Sequence, residues 1–249
     1  RAGTIAVRDT GGVGVAPPDV PAVTVDVTQR FQVIDGFGTT TRVFDDPHFS
    51  NTYDAATARS AVVIPQSAQD SIFAALYTDL GLTRVRYATD YGIEYPANDN
   101  ADPNVVNPAG FNFAWKRLDA HVPYVQRART FGVTMWYGSP ILPEPWMDVN
   151  DVPEYVEYVM QLLRRWRDLG QPLPLWAIAN EPDFAGARSP EFHRLAIRSL
   201  GAKMDAEGMT TRIVLADASY PTGALPIAQA VLGDSVARQY VAAVGTHLY

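Results

Sequence analysis

The sequence predicts an α/β fold, a TIM-type (β/α) barrel of about six βα units that is incomplete as a barrel. Three observations lead there. Strand-like apolar runs centred near residues 36, 85, 135, 177, 214 and 245 alternate with amphipathic helical stretches. Such alternation implies a parallel sheet covered by helices. No Gly-rich nucleotide fingerprint follows any of these strands, which weakens the case for an open doubly wound sheet. Polar and aromatic residues (Arg86, Trp136, Asn180, Glu181, Asp217 and His247) sit instead at the C-terminal ends of the strands, where a barrel assembles its site.

The elements follow in order. Residues 1–30 read as an extended lead-in, its first 22 residues rich in Gly, Val and Pro and Val23–Val27 alternating like a strand; residues 31–249 form the barrel region. Phe31–Gly38 reads as strand one, ending in a Gly turn. Ser67 and Asp70 resemble a capping box opening a helix that carries Ile72, Phe73, Leu76 and Leu80 and stops at Gly81. Arg84–Ala88 is strand two. A helix from about Phe113 to Phe131 presents Leu118, Val122, Val125 and Ala128 on one face and closes at Gly132. Val133–Tyr137 is strand three. Asp151, Pro153 and Glu154 open a third helix, which runs to Gly170. Leu173–Ala179 is strand four. Ser189-Pro190-Glu191 starts a fourth helix that ends near Gly208. Arg212–Ala216 is strand five, Leu225–Leu232 a shorter helix, and Val241–His247 strand six.

Composition narrows the function. The 249 residues suffice for one sizeable core. The net charge of −7 and the lack of a basic stripe argue against a nucleic-acid partner. With no cysteine there is no disulfide, thiolate metal site or cysteine nucleophile. The four His and few Lys show no ligand or Schiff-base pattern at a strand end, so no metal or cofactor is expected. No apolar run is long enough to span a bilayer, and no membrane partner is expected. The chain begins Arg1-Ala2-Gly3 without Met, which reads as a processed N-terminus and an extracellular, secreted protein.

Asn180-Glu181-Pro182 lies where strand four, apolar up to that point, ends. A carboxyl group at a barrel mouth, partly buried, suits general acid/base work; the plainer alternative is a loop-capping or ion-paired carboxylate. With this motif the sequence resembles glycoside hydrolases of clan A, the (β/α)8 barrels that carry Asn-Glu-Pro after strand four. Ile34-Asp35-Gly36-Phe37-Gly38, the run Tyr137–Met147 with its Ser-Pro and Pro-x-Trp-Met pattern, and Gly245-Thr246-His247-Leu248-Tyr249 narrow the resemblance to glycoside hydrolase family 30.

The resemblance implies roles position by position. Glu181 would be the acid/base and Asn180 would bind the sugar 2-hydroxyl. Arg86 and Tyr249 would orient the nucleophile, while Trp136, Trp146 and His247 would line subsites. The lead-in would belong to a side β-sandwich. The substrate would be an oligosaccharide or polysaccharide with β-glycosidic bonds.

A retaining pair needs a second carboxylate about 5–5.5 Å from the first. In the clan it is a Glu after strand seven, and the strand pattern here ends at six. The nucleophile is therefore expected outside this chain, with a homo-oligomer or partner chain covering the open barrel edges. Glu144, Asp90 and Asp217 are the alternative acids. A non-catalytic sugar-binding derivative of such a barrel is the competing reading.

Overall fold

A computed structural model describes residues 33–40, 65–89, 91–114, 118–184 and 188–248. The expected lead-in strand at 23–27, with its side β-sandwich, lies outside these residues, as do Asp90 and Tyr249. The residues from Gly36 onward form one compact unit.

Its centre is a six-stranded, all-parallel sheet in sequential order: β1 (Gly38–Thr40), β2 (Arg84–Thr89), β3 (Met135–Pro140), β4 (Leu175–Ala177), β5 (Arg212–Ala218) and β6 (Val241–Thr246). Between them run α1 (Gln66–Phe73, continued by a π-helical turn over Ala74–Asp79), α2 (Leu118–Arg129), α3 (Val152–Asp168), α4 (Pro190–Ala206) and α5 (Pro221–Gly233). The predicted barrel-type alternation is observed as six parallel strands with five helices between them. The glycines expected to stop helices, Gly81, Gly132, Gly170 and Gly208, all adopt positive φ.

Some boundaries differ from expectation. The first strand starts at Gly38, the residue where the sequence suggests that it ends. Gly36 and Gly38 pass directly against Thr83 and Arg84, where a Cβ would collide, so this stretch serves close approach before the ladder begins. The Ser67/Asp70 capping box does not form. Pro65 precedes α1 without a side-chain cap, and Asp70 instead takes a two-pronged ion pair from Arg127 of α2, at 2.8 and 2.7 Å. The predicted caps of α3 and α4 do form. Asp151 accepts from the Glu154 amide at 3.2 Å, and Ser189 Oγ from the Phe192 amide at 3.0 Å.

Side chains alternate across the sheet. Val85, Tyr87, Trp136, Ile213 and Leu215 face the helix layer and join its core with Trp166, Trp176 and Tyr155. Gly138 is the close-approach position of β3, where a Cβ would lie 2.6 Å from the Trp176 ring. Tyr155 donates to the Ile178 carbonyl at 2.6 Å, fixing α3 beneath the end of β4. The other face carries Arg86, Tyr137 and Ser139. Arg86 of β2 touches Asp217 of β5 at 3.0 Å. Neighbouring strands are about 4.8 Å apart, so residues three strands apart in a flat sheet stand roughly 14 Å apart. The sheet therefore curls toward this inner face, as a barrel wall does.

Candidate active site

The ladder of β4 ends at Ala177, and Ile178–Glu181 carry the chain over the C-terminal edge of the sheet. Asn180 donates its backbone N–H to the Pro140 carbonyl at the end of β3 (3.0 Å), and Glu181 donates to the Asp217 carbonyl at the end of β5 (2.9 Å). Residue by residue, the end of β4 is stitched to both neighbours. Glu181, Ala216 and Asp217 are the non-glycine residues with positive φ among the described residues, at 50, 71 and 53°. Such conformations cost about 1–3 kcal/mol each and persist where surrounding bonds over-determine them. The Glu181–Asp217 backbone bond is one of those constraints.

Asp217 reaches the inner face through a bulge. Strict alternation would place it beside Ile213 and Leu215, toward the helices. The pairing with β6 slips here: Ala216 is opposite Gly245 and Ala218 opposite Thr246, leaving Asp217 as the extra residue. Its left-handed backbone then directs the carboxylate inward.

The carboxylate meets a convergent polar set. Arg86 Nη2 lies 2.7 Å from Asn180 Oδ1, 2.8 Å from Ser139 Oγ and 3.0 Å from Asp217 Oδ2. Ser139 Oγ in turn donates to Asp217 Oδ2 at 2.9 Å. His247, just past β6, is held by its backbone N–H on the Ala218 carbonyl (2.7 Å). Its Nδ1 is 2.8 Å from Glu181 Oε1 and its Nε2 is 3.2 Å from Asp217 Oδ1. The Glu181 and His247 side chains keep 17% and 18% of their surface exposed, while Asp217 keeps 6%. Glu181 is thus the solvent-facing acid of the chain Glu181–His247–Asp217, and Asp217 is its buried anchor. Beside them, burial pushes the Tyr137 hydroxyl upward in pKa.

The proton logic follows from the contacts. Asp217 accepts from Arg86 and Ser139 and faces His247 Nε2, while Glu181 faces Nδ1 of the same ring. A carboxyl placed this way can release a proton outward and recover it.

Of the residues singled out from sequence, Asn180, Glu181, Arg86 and His247 are brought together. Trp136 is not. It is 8% exposed on the helix-facing side of β3, with the Arg129 guanidinium of α2 4.5 Å from its ring centre, so it packs the core rather than lining a subsite. Trp146 lies in the loop after β3, half-buried, its indole N–H donating to the Glu94 carbonyl at 2.6 Å. Tyr249 lies outside the described residues.

Two of the alternative acids are otherwise engaged. Both oxygens of Asp217 are bonded as above. Glu144 is buried and accepts from the backbone amides of Gly92, Ile93 and Glu94 at 2.8–3.2 Å. Burial pushes its carboxyl upward, against the pull of those amides and of the Tyr158 hydroxyl. It latches the loop after β3 to the loop after β2, which is a structural duty.

The sequence reading undervalued Asp217 and passed over Ser139. The periodicity of β5 points Asp217 the wrong way. The signal available for Ser139 was its position at the end of a barrel strand. Among the described residues, no group of three or more His, Asp or Glu is arranged to hold a metal ion. No helix of the described residues is long and apolar enough to cross a membrane.

No family profile matches the chain. In sequence it is 24% identical over 265 residues to "Putative glucosylceramidase 1" of Caenorhabditis elegans, covering 91% of this chain and 47% of that protein. In structure it is similar to the catalytic domain of a glycoside hydrolase family 30 xylanase C from Talaromyces cellulolyticus (TM-score 0.66, 21% identity, 89% of this chain and 55% of that one). It is also similar to the family 30 subfamily 8 xylanase of Clostridium acetobutylicum (TM-score 0.56, 19% identity, 90% and 52%). An endo-β1,6-glucanase matches with a TM-score of 0.63 at 15% identity, over 90% and 54%. The chain spans about half the length of these relatives. It shares the fold of the family 30 barrels over six parallel strands and the five helices between them.

Proposed function

We propose that the protein is a glycosidase acting on β-glycosidic bonds of an oligosaccharide or polysaccharide by a retaining, two-carboxylate mechanism, with Glu181 as the acid/base. The observation that carries this reading is the contact of Glu181 Oε1 with His247 Nδ1, backed by Asp217 on Nε2. In the first half-reaction the Glu181 carboxyl gives its proton to the glycosidic oxygen as the bond from that oxygen to the anomeric carbon breaks. A carboxylate about 5–5.5 Å away takes the sugar. In the second, Glu181 takes a proton from water as the water attacks the anomeric carbon, and the carboxylate leaves.

Asn180 contributes beside it. Its Oδ1 accepts from Arg86, so the amide NH2 is the end suited to donate to a sugar hydroxyl. Glu144 and Asp217 are engaged elsewhere, so the nucleophile is assigned to polypeptide outside the described strands. The same polypeptide, from another chain or another segment, would cover β1 and β6, which have no outer partner strand among the described residues. The site belongs to an extracellular protein in this reading.

The test is Glu181→Gln assayed on two aryl β-glycosides. With a poor leaving group, turnover should fall by about 10²–10⁴-fold, the usual worth of a positioned acid. With a strongly acidic phenol as leaving group, the glycosylation step should be largely spared. Unchanged turnover of the poor substrate would overturn the assignment.

A further inference from the structure

Away from the site, the loop 91–112 and the start of α3 enclose a group of carboxyls. Glu94 is 1% exposed and Glu157 is 3% exposed. Both carboxyl oxygens of Glu157 are shut off from solvent and make no hydrogen bond within the structure. Around Glu157 stand Asp99 and Asp102 from the loop, Glu154 one turn earlier on α3, and Lys203 from α4. Around Glu94 stand Asp99, Glu157 and the Glu144 carboxylate of the loop after β3. Asn98 bonds Glu154, and the Tyr158 hydroxyl bonds Glu144. Lys203 is the one cation in this set, and it also reaches the Pro103 carbonyl at 3.5 Å.

A buried carboxylate without hydrogen bonds costs several kcal/mol and is avoided by taking up a proton. The carboxyls do not converge on a common point as metal ligands do, so protons rather than a cation are what this arrangement can take up.

We infer that the loop 91–112 is a proton-dependent strap, closed on the start of α3 while Glu94 and Glu157 are protonated and released when they ionise. The loop is braced within itself by the Asp99 amide on Glu94 Oε1 at 2.9 Å and the Asn112 amide on the Ile93 carbonyl at 2.7 Å. It is tied outward by Asn98 on Glu154 of α3, by Lys203 of α4 on the Pro103 carbonyl, and by the Trp146 indole on the Glu94 carbonyl. Burial, followed by repulsion from the neighbouring acids, pushes Glu94 up to about 8 and Glu157 up to about 7. Both groups are raised in the closed form above their ordinary carboxylate range. Their contribution to closure is complete below that range and is lost as pH rises through 7 to 8. Because Trp146 hangs on the strap, its release would also free the indole beside the end of β3.

The experiment is hydrogen exchange of the whole protein between pH 6 and pH 9, read as protection factors corrected for intrinsic exchange. The amides of Glu94, Asp99 and Asn112 should lose protection by at least about tenfold across that range, while those of α3 beyond Leu162 hold steady. The double variant Glu94→Gln/Glu157→Gln, whose side chains stay neutral, should show less than about a twofold change. Lys203→Met keeps the aliphatic stem of this half-buried helical position and removes the cation of the set. It should move the midpoint upward, because Lys203 eases the ionisation of Glu157. Flat protection in the natural protein, an undiminished pH response in the double variant, or an unmoved midpoint in Lys203→Met would each overturn the strap. None of these readouts depends on glycoside cleavage.

Discussion

His247 Nδ1 lies 2.8 Å from Glu181 Oε1, and this one contact ties the end of β6 to the end of β4. Asp217, from the strand between them, holds the far nitrogen of the same ring at 3.2 Å. The ring is therefore held at both nitrogens.

The first prediction concerns that ring. His247→Phe keeps the planar side chain and removes both nitrogens. It should lower kcat for β-glycosides by about tenfold to a hundredfold, with a smaller change in KM, because the lost contact acts on the acid rather than on the ground-state sugar. Steady-state kinetics at several pH values would check it. A pH profile identical in shape to that of the natural protein would argue against any proton role for the ring.

The second concerns Glu144. Glu144→Ala leaves the amides of Gly92, Ile93 and Glu94 buried without their acceptor. Each such loss costs about 1–3 kcal/mol, so the variant should be destabilised by at least about 3 kcal/mol. Urea unfolding measures this directly. Were Glu144 the missing nucleophile instead, the folded variant would lose turnover without losing stability.

The third concerns acid sensitivity. His193, wholly buried on α4, donates Nδ1–H to the Ser189 carbonyl at 3.0 Å and leaves Nε2 unbonded. Burial, with the nearby Arg188 guanidinium adding to it, pushes its pKa down to about 4 from 6.5. The folded state thus refuses a proton that the unfolded state accepts. The stability from this group is complete above pH 6.5 and is lost as pH falls toward 4. The full loss is on the order of 3 kcal/mol. Urea midpoints for the natural protein should drop more between pH 7.5 and pH 5 than those of His193→Phe, so the difference between the two should shrink as pH falls.

The legible parts of the molecule share a local cause. Helix starts at Asp151 and Ser189 depend on residues three apart, and stops at Gly81, Gly132, Gly170 and Gly208 depend on one backbone conformation each. Those energies are present in any short window of sequence. The Ser67/Asp70 start fails for a reason that no window contains: Arg127, 57 residues away, competes for the Asp70 carboxylate.

At the site the same division holds. That Asn180 and Glu181 stand at a strand end, on the same edge of the sheet as Arg86 and His247, follows from the succession of strands. Which face each strand-end side chain takes does not. Trp136 obeys the two-residue period and goes to the core under Arg129. Asp217 breaks that period through its bulge and arrives beside Arg86.

By itself, then, the sequence determined the order of strands and helices and the line of polar residues along one edge of the sheet, because periodicity and caps are short-range. Only the tertiary structure decided that Asp217 anchors His247, that Glu144 latches two loops, and that Glu94 and Glu157 are sealed from water. Each of these depends on contacts between segments tens of residues apart, and their energies exist only once the sheet has curled and the loops have closed over it.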